Sequence, residues 1–228
     1  MKIMHIAPTE VLQKVQMTGS MAIAPKIMEL NHNPYTLRGI YSCIDNGAFE
    51  GKQLPFSTVI RLAAQLDIPE MVLPDVMGDQ AATSKVINAA IIEYMQDFRD
   101  VKVNFMAVLH KFNLTAYSSP FVSVIGLPKC LKDRQISMIE IYKHSKQEIH
   151  FLGLQSIKEL TPEANKIVRS CDTSLAFKAT CGQYLLETLT DEAIDEITKG
   201  PNKWLVPVNF DYNRFMKNCN FLDFKGGK

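Results

Sequence analysis

Long hydrophobic runs are the first absence. No segment approaches the roughly 18 consecutive apolar residues that a membrane-spanning helix needs, so no transmembrane anchor is expected. The opening "MKIMHIAPTE" meets Pro8 and Glu10 too early for the apolar stretch of a secretory signal. A cytoplasmic protein follows from these two readings. Charge of one sign is also missing. With 25 basic and 24 acidic residues the 228-residue chain carries a formal net charge of +1, and no block of like charges or low-complexity segment interrupts it. That excludes a polyanionic or polycationic tail. Cysteines number five, an odd count, and Cys43, Cys130, Cys171, Cys181 and Cys219 include no CxxC pair. A disulfide framework is therefore not expected, and the thiols are read as reduced. Nor does any segment recur at a period of about 20 to 50 residues, which sets solenoids aside.

What is present is a succession of short β-rich runs, each followed by a polar or helical stretch. Eight occur: 3–8 "IMHIAP", 21–25 "MAIAP", 40–45 "IYSCID", 70–75 "EMVLPD", 102–110 "KVNFMAVLH", 121–128 "FVSVIGLP", 148–154 "EIHFLGL" and 166–172 "KIVRSCD". Most are almost continuously apolar, the pattern of parallel strands covered on both faces. Helices are predicted between them over 57–66, with Ser57 as N-cap, over 79–98, started by Asp79 after Gly78, and over 130–146. Eight strands alternating with helices predict an α/β fold, a (β/α)8 TIM-like barrel, which routinely accommodates a chain of this length as one domain. The fifth and sixth runs are too close for the dozen or more residues of an ordinary parallel crossover, so the barrel is expected to be trimmed. The barrel is expected over 1–180. A C-terminal extension over 181–228, with a helix near 190–200 and an aromatic tail containing Trp204, is expected to pack on its outside.

Three of the runs end in aspartate: Asp45, Asp75 and Asp172. Strand C-termini of a parallel barrel open on one mouth, where barrel active sites lie. Aspartate after a strand is often only a helix cap or an Asx-turn, but three at equivalent positions gather like charges that repel, and this calls for a functional reason. Around Asp45, Asn46 and Gly47 form a turn that allows close approach of a flat ligand. Phe49 offers an aromatic face there.

In order along the chain, "IDNGAFE" (44–50), "LPDVMGD" (73–79), "VIGLPK" (124–129), "HFLGL" (150–154) and "SCDTS" (170–174) resemble the tRNA-guanine transglycosylase superfamily. They are most similar to its short phage branch, the 7-deazaguanine DNA transglycosylases. The resemblance covers about residues 3–180. It implies a barrel enzyme that exchanges guanine in a polynucleotide for a 7-substituted 7-deazaguanine, working in the host cytoplasm if phage-encoded. By position it implies that Asp172 is the nucleophile, Asp45 the general acid/base, and Asp75 the carboxylate that reads the base edge. Asn46, Gly47, Phe49, His110, Gly126, Leu127, His150 and Gly153 would complete the base site.

The chemistry agrees with those roles on its own terms. Cleavage of an N-glycosidic bond develops oxocarbenium character that a carboxylate can trap. The departing base needs a proton and the incoming one must lose a proton. A carboxylate also matches the paired donors N1–H and N2–H₂ of guanine.

The chain departs from the family pattern where His110-Lys111 replaces a glutamine-glycine pair and Gly126-Leu127-Pro128 replaces Gly-Gly-Leu. It also lacks the family's closely spaced zinc cluster. No cofactor is therefore expected; Cys171, Cys181 and Cys219 with a distant histidine are what remains for zinc.

Phosphate contacts require basic surface. Residues 128–146 carry Lys129, Lys132, Arg134, Lys143 and Lys146 against two acids, and residues 199–228 carry Lys199, Lys203, Arg214, Lys217, Lys225 and Lys228 against two. Lys111 and Lys178 stand just past strand ends, and with Lys129 they are the candidates for backbone contact. The expected partners are guanine-containing DNA and a free 7-deazaguanine base, with a homodimer compatible. The short length favours DNA over tRNA. A duplex target would have to flip its guanine out of the stack. Exchange in tRNA and a non-catalytic nucleobase-binding barrel are the alternatives. A metal-dependent barrel hydrolase is disfavoured, because the first strand carries a lone His5 in place of an HxH pair.

Overall fold

The computed structural model describes residues 1–30, 34–111, 119–145, 147–201 and 204–227. Eight strands, all parallel, stand in the order β1-β8-β7-β6-β5-β4-β3-β2. They are β1 Lys2–His5, β2 Ser20–Ile23, β3 Tyr41–Asp45, β4 Glu70–Val72, β5 Asn104–Val108, β6 Val122–Pro128, β7 Glu148–Leu152 and β8 Ser170–Thr173. The sheet curls into a nearly closed barrel. Among the described residues no ladder joins β1 to β2, and this leaves one seam. The expected trimmed (β/α)8 barrel is the observed fold.

The near-continuous apolar runs arise because both faces of each strand are buried. One set of side chains alternates inward, where Met4, Met21, Cys43, Val72, Met106 and Val124 fill the barrel. The other set points outward: Ile3, Ile44, Met71, Phe105, Ile125 and Phe151 join the larger core under the helices. Gly126 stands in the inward row of β6. A Cβ there would lie 2.7 Å from Leu152 Cδ1 and 3.1 Å from Met106 Sδ, so the missing side chain keeps space open inside the barrel.

The helices are α1 Thr9–Lys14, α2 Ala24–Met28, α3 Phe56–Leu66, α4 Gln80–Glu93, α5 Arg134–His144, α6 Pro162–Ile167, α7 Leu175–Cys181, α8 Asp191–Lys199 and α9 Tyr212–Lys225. Several are only one or two turns long, the economy that a short chain imposes. Between β5 and β6 the described residues 109–111 and 119–121 are not helical.

Asp79 caps α4 as expected, its Oδ1 accepting from the Ala82 amide at 2.9 Å. A π-helical turn, Tyr94–Phe98, carries that helix to the expected end. Ser57 is not a cap: Pro55, with its fixed φ, leads into α3, which begins at Phe56. The helix expected from 130 starts at Arg134, after a left-handed Asp133; its expected last residue, Lys146, lies outside the described residues. The last strand is shorter than its run, because residues 166–167 belong to α6.

The extension divides in two. Helix α9 packs on α7 and β1 outside the barrel and buries Phe215, Cys219 and Leu222. Trp204 differs from the expectation. It packs with Leu152 against the side chains that fill the barrel, and Lys26 Nζ stands 5.6 Å from its ring centroid. Nearby, the Lys178 ammonium donates to the carbonyls of Thr198 (3.2 Å) and Gly200 (2.6 Å) and holds the C-terminal end of α8.

Candidate active site

The C-terminal ends of the strands surround a cavity of about 110 Å³. Ile6, Met21, Ile23, Val108, Leu152 and Leu154 make its walls apolar, and into it face Asp45, Asp75 and Asp172. The three carboxylates read from separate parts of the sequence thus share one chamber. A second cavity, of about 270 Å³, opens at the other end of the barrel beside Lys2, Asn104, Glu70 and Arg169. Its central ionic groups already satisfy one another: Arg169 pairs with Glu70 at 2.7 Å and with Glu148 at 3.0 Å. The first cavity is therefore the candidate site.

Each carboxylate has a distinct environment. Asp172, inside β8, is buried, and its Oδ1 accepts from the Gly153 amide at 2.9 Å and lies 3.0 Å from His150 Nε2. Gly153 can present that amide because it adopts φ +72°. The carbonyl of Gly153 is held in turn by Arg134 Nη1 at 2.9 Å. The same Arg134 nitrogen reaches both oxygens of buried Glu159, and the guanidinium lies 4.0 Å over the Phe151 ring. Arg134 was expected on the basic surface; it is instead a buried brace of the loop after β7.

Asp45, the last residue of β3, accepts the Gly47 amide at 2.7 Å, an Asx-turn that Gly47 closes at φ +85°. Burial, above all, pushes its carboxyl up to about 8 from an ordinary 3.8; the nearby charge of Glu50 adds to this, as do those of Asp172 and Asp75, while the Gly47 amide works the other way. Asp45 therefore holds its proton to higher pH than an ordinary carboxyl.

Asp75, three residues past β4, is held on both oxygens. Asn46 Nδ2 donates to Oδ1 at 3.1 Å, and His110 Nε2 is 2.8 Å from Oδ2. His110 Nδ1 accepts the Gly78 amide at 3.4 Å, so Nε2 carries the hydrogen and donates. Asn46 is itself fixed: it donates to the Leu73 carbonyl at 2.8 Å and accepts from the Ala48 amide at 2.7 Å.

Of the other expected base contacts, Phe49, His110 and Gly153 line the cavity. Phe49 is 52% exposed, with Lys129 Nζ 4.3 Å from its ring centroid. Asn46, His150 and Leu127 are fully buried. Asn46 and His150 hold the carboxylates and do not face the cavity, while Leu127 packs in the outer core. Gly47 is enclosed by its own turn, where a Cβ would meet Pro25 Cγ at 2.5 Å. Gly126 acts through the room it leaves beside Leu152.

Among the expected phosphate-contacting residues, Lys129 lines the rim and Lys111 is exposed. Lys178 is turned inward instead: its ammonium is committed to the α8 carbonyls, and burial together with the charge of Lys129 brings it down to about 8. Lys146, Lys203 and Lys228 lie outside the described residues. Among the described residues no group of three or more His, Cys, Asp or Glu side chains is placed to hold a metal ion; Cys171 and Cys219 are buried in the outer core. No helix among the described residues is long and apolar enough to cross a membrane.

Glu50 was not singled out from the sequence and belongs to the site, lining the cavity beside Asp45. Its signal was its place five residues after Asp45 on a loop that Gly47 turns back. Arg134 carried no comparable signal, because its partners Gly153 and Glu159 are distant in sequence.

Compared with known proteins, the chain matches no family model and no curated sequence.

Proposed function

We propose that the protein is a base-exchange transglycosylase that replaces guanine in DNA with a 7-substituted 7-deazaguanine through a covalent sugar–Asp172 intermediate. One observation carries the reading: three carboxylates in different states of restraint meet in one apolar-walled cavity at the barrel mouth. Environments that push paired carboxyl groups apart are how acid and nucleophile are separated in glycosyl transfer.

In this mechanism Asp75 accepts N1–H and N2–H₂ of the flipped guanine. Each of its oxygens already takes one hydrogen bond and retains a second acceptor site. Adenine presents an acceptor at N1 and is disfavoured. Asp172, held at Oδ1, attacks C1′ with Oδ2; the C1′–N9 bond breaks as the C1′–O bond forms. Asp45 gives its proton to the departing guanine. The free deazaguanine then enters, Asp45 as carboxylate takes the proton from its ring nitrogen, and that nitrogen displaces Asp172 from C1′. Proton and carboxylate return to their starting state, so the exchange needs no cofactor. Apolar walls strengthen each of these electrostatic steps.

The test is mass spectrometry of nucleosides from DNA, and separately from tRNA, incubated with the protein and candidate 7-deazaguanine bases. The expected result is a deazaguanine nucleoside in the DNA digest. Exchange confined to tRNA would move the substrate to RNA. No exchange with either polymer, together with no protein–nucleic acid adduct on denaturing gels, would leave a nucleobase-binding barrel and overturn the proposal.

A further inference from the structure

We propose that His150, oriented by Ser170 and Arg169, is the positioning residue that presents Asp172 for attack, as the last link of a one-way chain of hydrogen bonds along the inside of β7 and β8. The structural part stands by itself; the catalytic consequence rests on the role proposed for Asp172.

The direction of the chain can be read from its ends. Arg169 has only donors, and its Nε lies 3.3 Å from Ser170 Oγ. Ser170 Oγ therefore accepts there, and its own hydrogen is free to go to His150 Nδ1, 2.8 Å away. A ring nitrogen that accepts leaves the hydrogen on the other, so Nε2–H donates to Asp172 Oδ1 at 3.0 Å. The opposite end requires the same tautomer. Oδ1 is marked as an acceptor by the Gly153 amide at 2.9 Å, so a bare Nε2 would set lone pair against lone pair.

Arg169 is anchored below by Glu70 at 2.7 Å and by Glu148 at 3.0 Å, so its Nε is not free to turn away. Neighbouring strands bring the links together: the ladder pairs His150 of β7 with Ser170 of β8. His150 is fully buried and Ser170 is 1% exposed, so the bonds at His150 are shielded from bulk water, while Arg169 and Ser170 border the second cavity.

The outcome is an imidazole whose Nε2–H is fixed against one oxygen of the carboxylate. Both donors fall on Oδ1, which leaves Oδ2 to form the bond with C1′. The same donors receive the carboxylate when it departs in the second displacement. His150 itself need not gain or lose a proton, and it does not face the cavity.

Long-range ¹H–¹⁵N spectra of the histidine rings, assigned with His150→Gln, test the chain without reference to activity. The intact protein is expected to show His150 as the Nε2–H tautomer. Ser170→Ala, which removes a single buried oxygen, is expected to shift it toward a tautomer mixture. Adduct formation with single-stranded DNA is the second readout. Ser170→Ala and His150→Phe are expected to slow it by about 10- to 100-fold, the range that a lost hydrogen bond to a charged group carries, while His150→Gln, which keeps a donor, recovers part of the rate. An Nδ1–H tautomer in the intact protein would overturn the chain. So would an unchanged adduct rate in a folded Ser170→Ala protein whose tautomer has shifted. If the intact protein forms no adduct at all, the proposed function fails, and the spectra still decide the chain.

Discussion

Asp45→Asn should strongly slow exchange and at the same time make the protein more stable, by an amount that depends on pH. The substitution keeps the side-chain oxygen that accepts the Gly47 amide at 2.7 Å, so the turn after β3 is preserved. It removes the group that cannot ionise easily in the cavity. In the folded protein Asp45 is pushed up to about 8 from an ordinary 3.8. A carboxyl raised in this way contributes most to stability below its unfolded value, and that contribution is lost as pH rises toward the folded one. Each pH unit between the two costs about 1.4 kcal/mol, so the ceiling at pH 7 is about 4 kcal/mol. Asp45 is partly accessible from the cavity, and water reaching the carboxyl lowers this; about 2 kcal/mol is the working figure. Urea denaturation of both proteins at pH 4.5, 6, 7 and 8 measures the difference. It should be smallest at the lowest pH, at most about 1 kcal/mol, and widen steadily in favour of Asn. A gain of equal size at every pH, or an Asn variant that is less stable at pH 8, would refute the argument. Exchange activity of the same variant should fall by on the order of 10²-fold or more, the usual contribution of a general acid/base.

The remaining predictions address other parts of the site. Asp172→Ala should eliminate both the adduct on denaturing gels and the incorporation of labelled deazaguanine; near-normal exchange would remove Asp172 as nucleophile. Gly126→Ala should drive Leu152 into the cavity, since the new Cβ would sit 2.7 Å from Leu152 Cδ1. Its signature is a KM for the free base raised several-fold, at a stability cost of about 1–3 kcal/mol, read from kinetics and thermal melts. Arg134→Met should leave buried Glu159 with the Gln155 amide (2.8 Å) but no counter-charge and cost about 3–5 kcal/mol in denaturant titration; a loss below about 1 kcal/mol would mean that the amide alone suffices.

Much of the architecture was legible because the physics behind it is local. Strands buried on both faces must be apolar nearly throughout, and the eight runs all contain strands. Asp45 and Asp172 lie in the strands themselves and Asp75 only three residues past β4, so the three could be brought to one mouth without coordinates. What could not be read depends on loops meeting across the barrel. Asn46 and His150 resemble ligand-facing groups in one dimension, but they are turned to the carboxylates they brace by partners on neighbouring strands. Arg134 and Lys178 counted as surface charge until burial and distant carbonyls claimed them. Trp204, assigned to the outside with the tail, packs instead beside Leu152 at the barrel-filling cluster, a long-range contact with no periodicity to betray it.

The seam between β1 and β2 bears on which bases could be accommodated. Ile6 follows β1, while Met21 and Ile23 belong to β2, and all three form the cavity wall on that side. Elsewhere, widening the chamber means pulling apart ladder bonds. Here, among the described residues, no ladder bond resists a parting of the two strands, only side-chain contacts such as Lys2 Nζ with Ser42 Oγ at 3.4 Å and Thr9 with Tyr41 at 2.8 Å. If the proposed exchange holds, a bulkier modified base would be admitted most cheaply on this flank, and a covalent staple across it would narrow the range of bases accepted before it affected the chemistry.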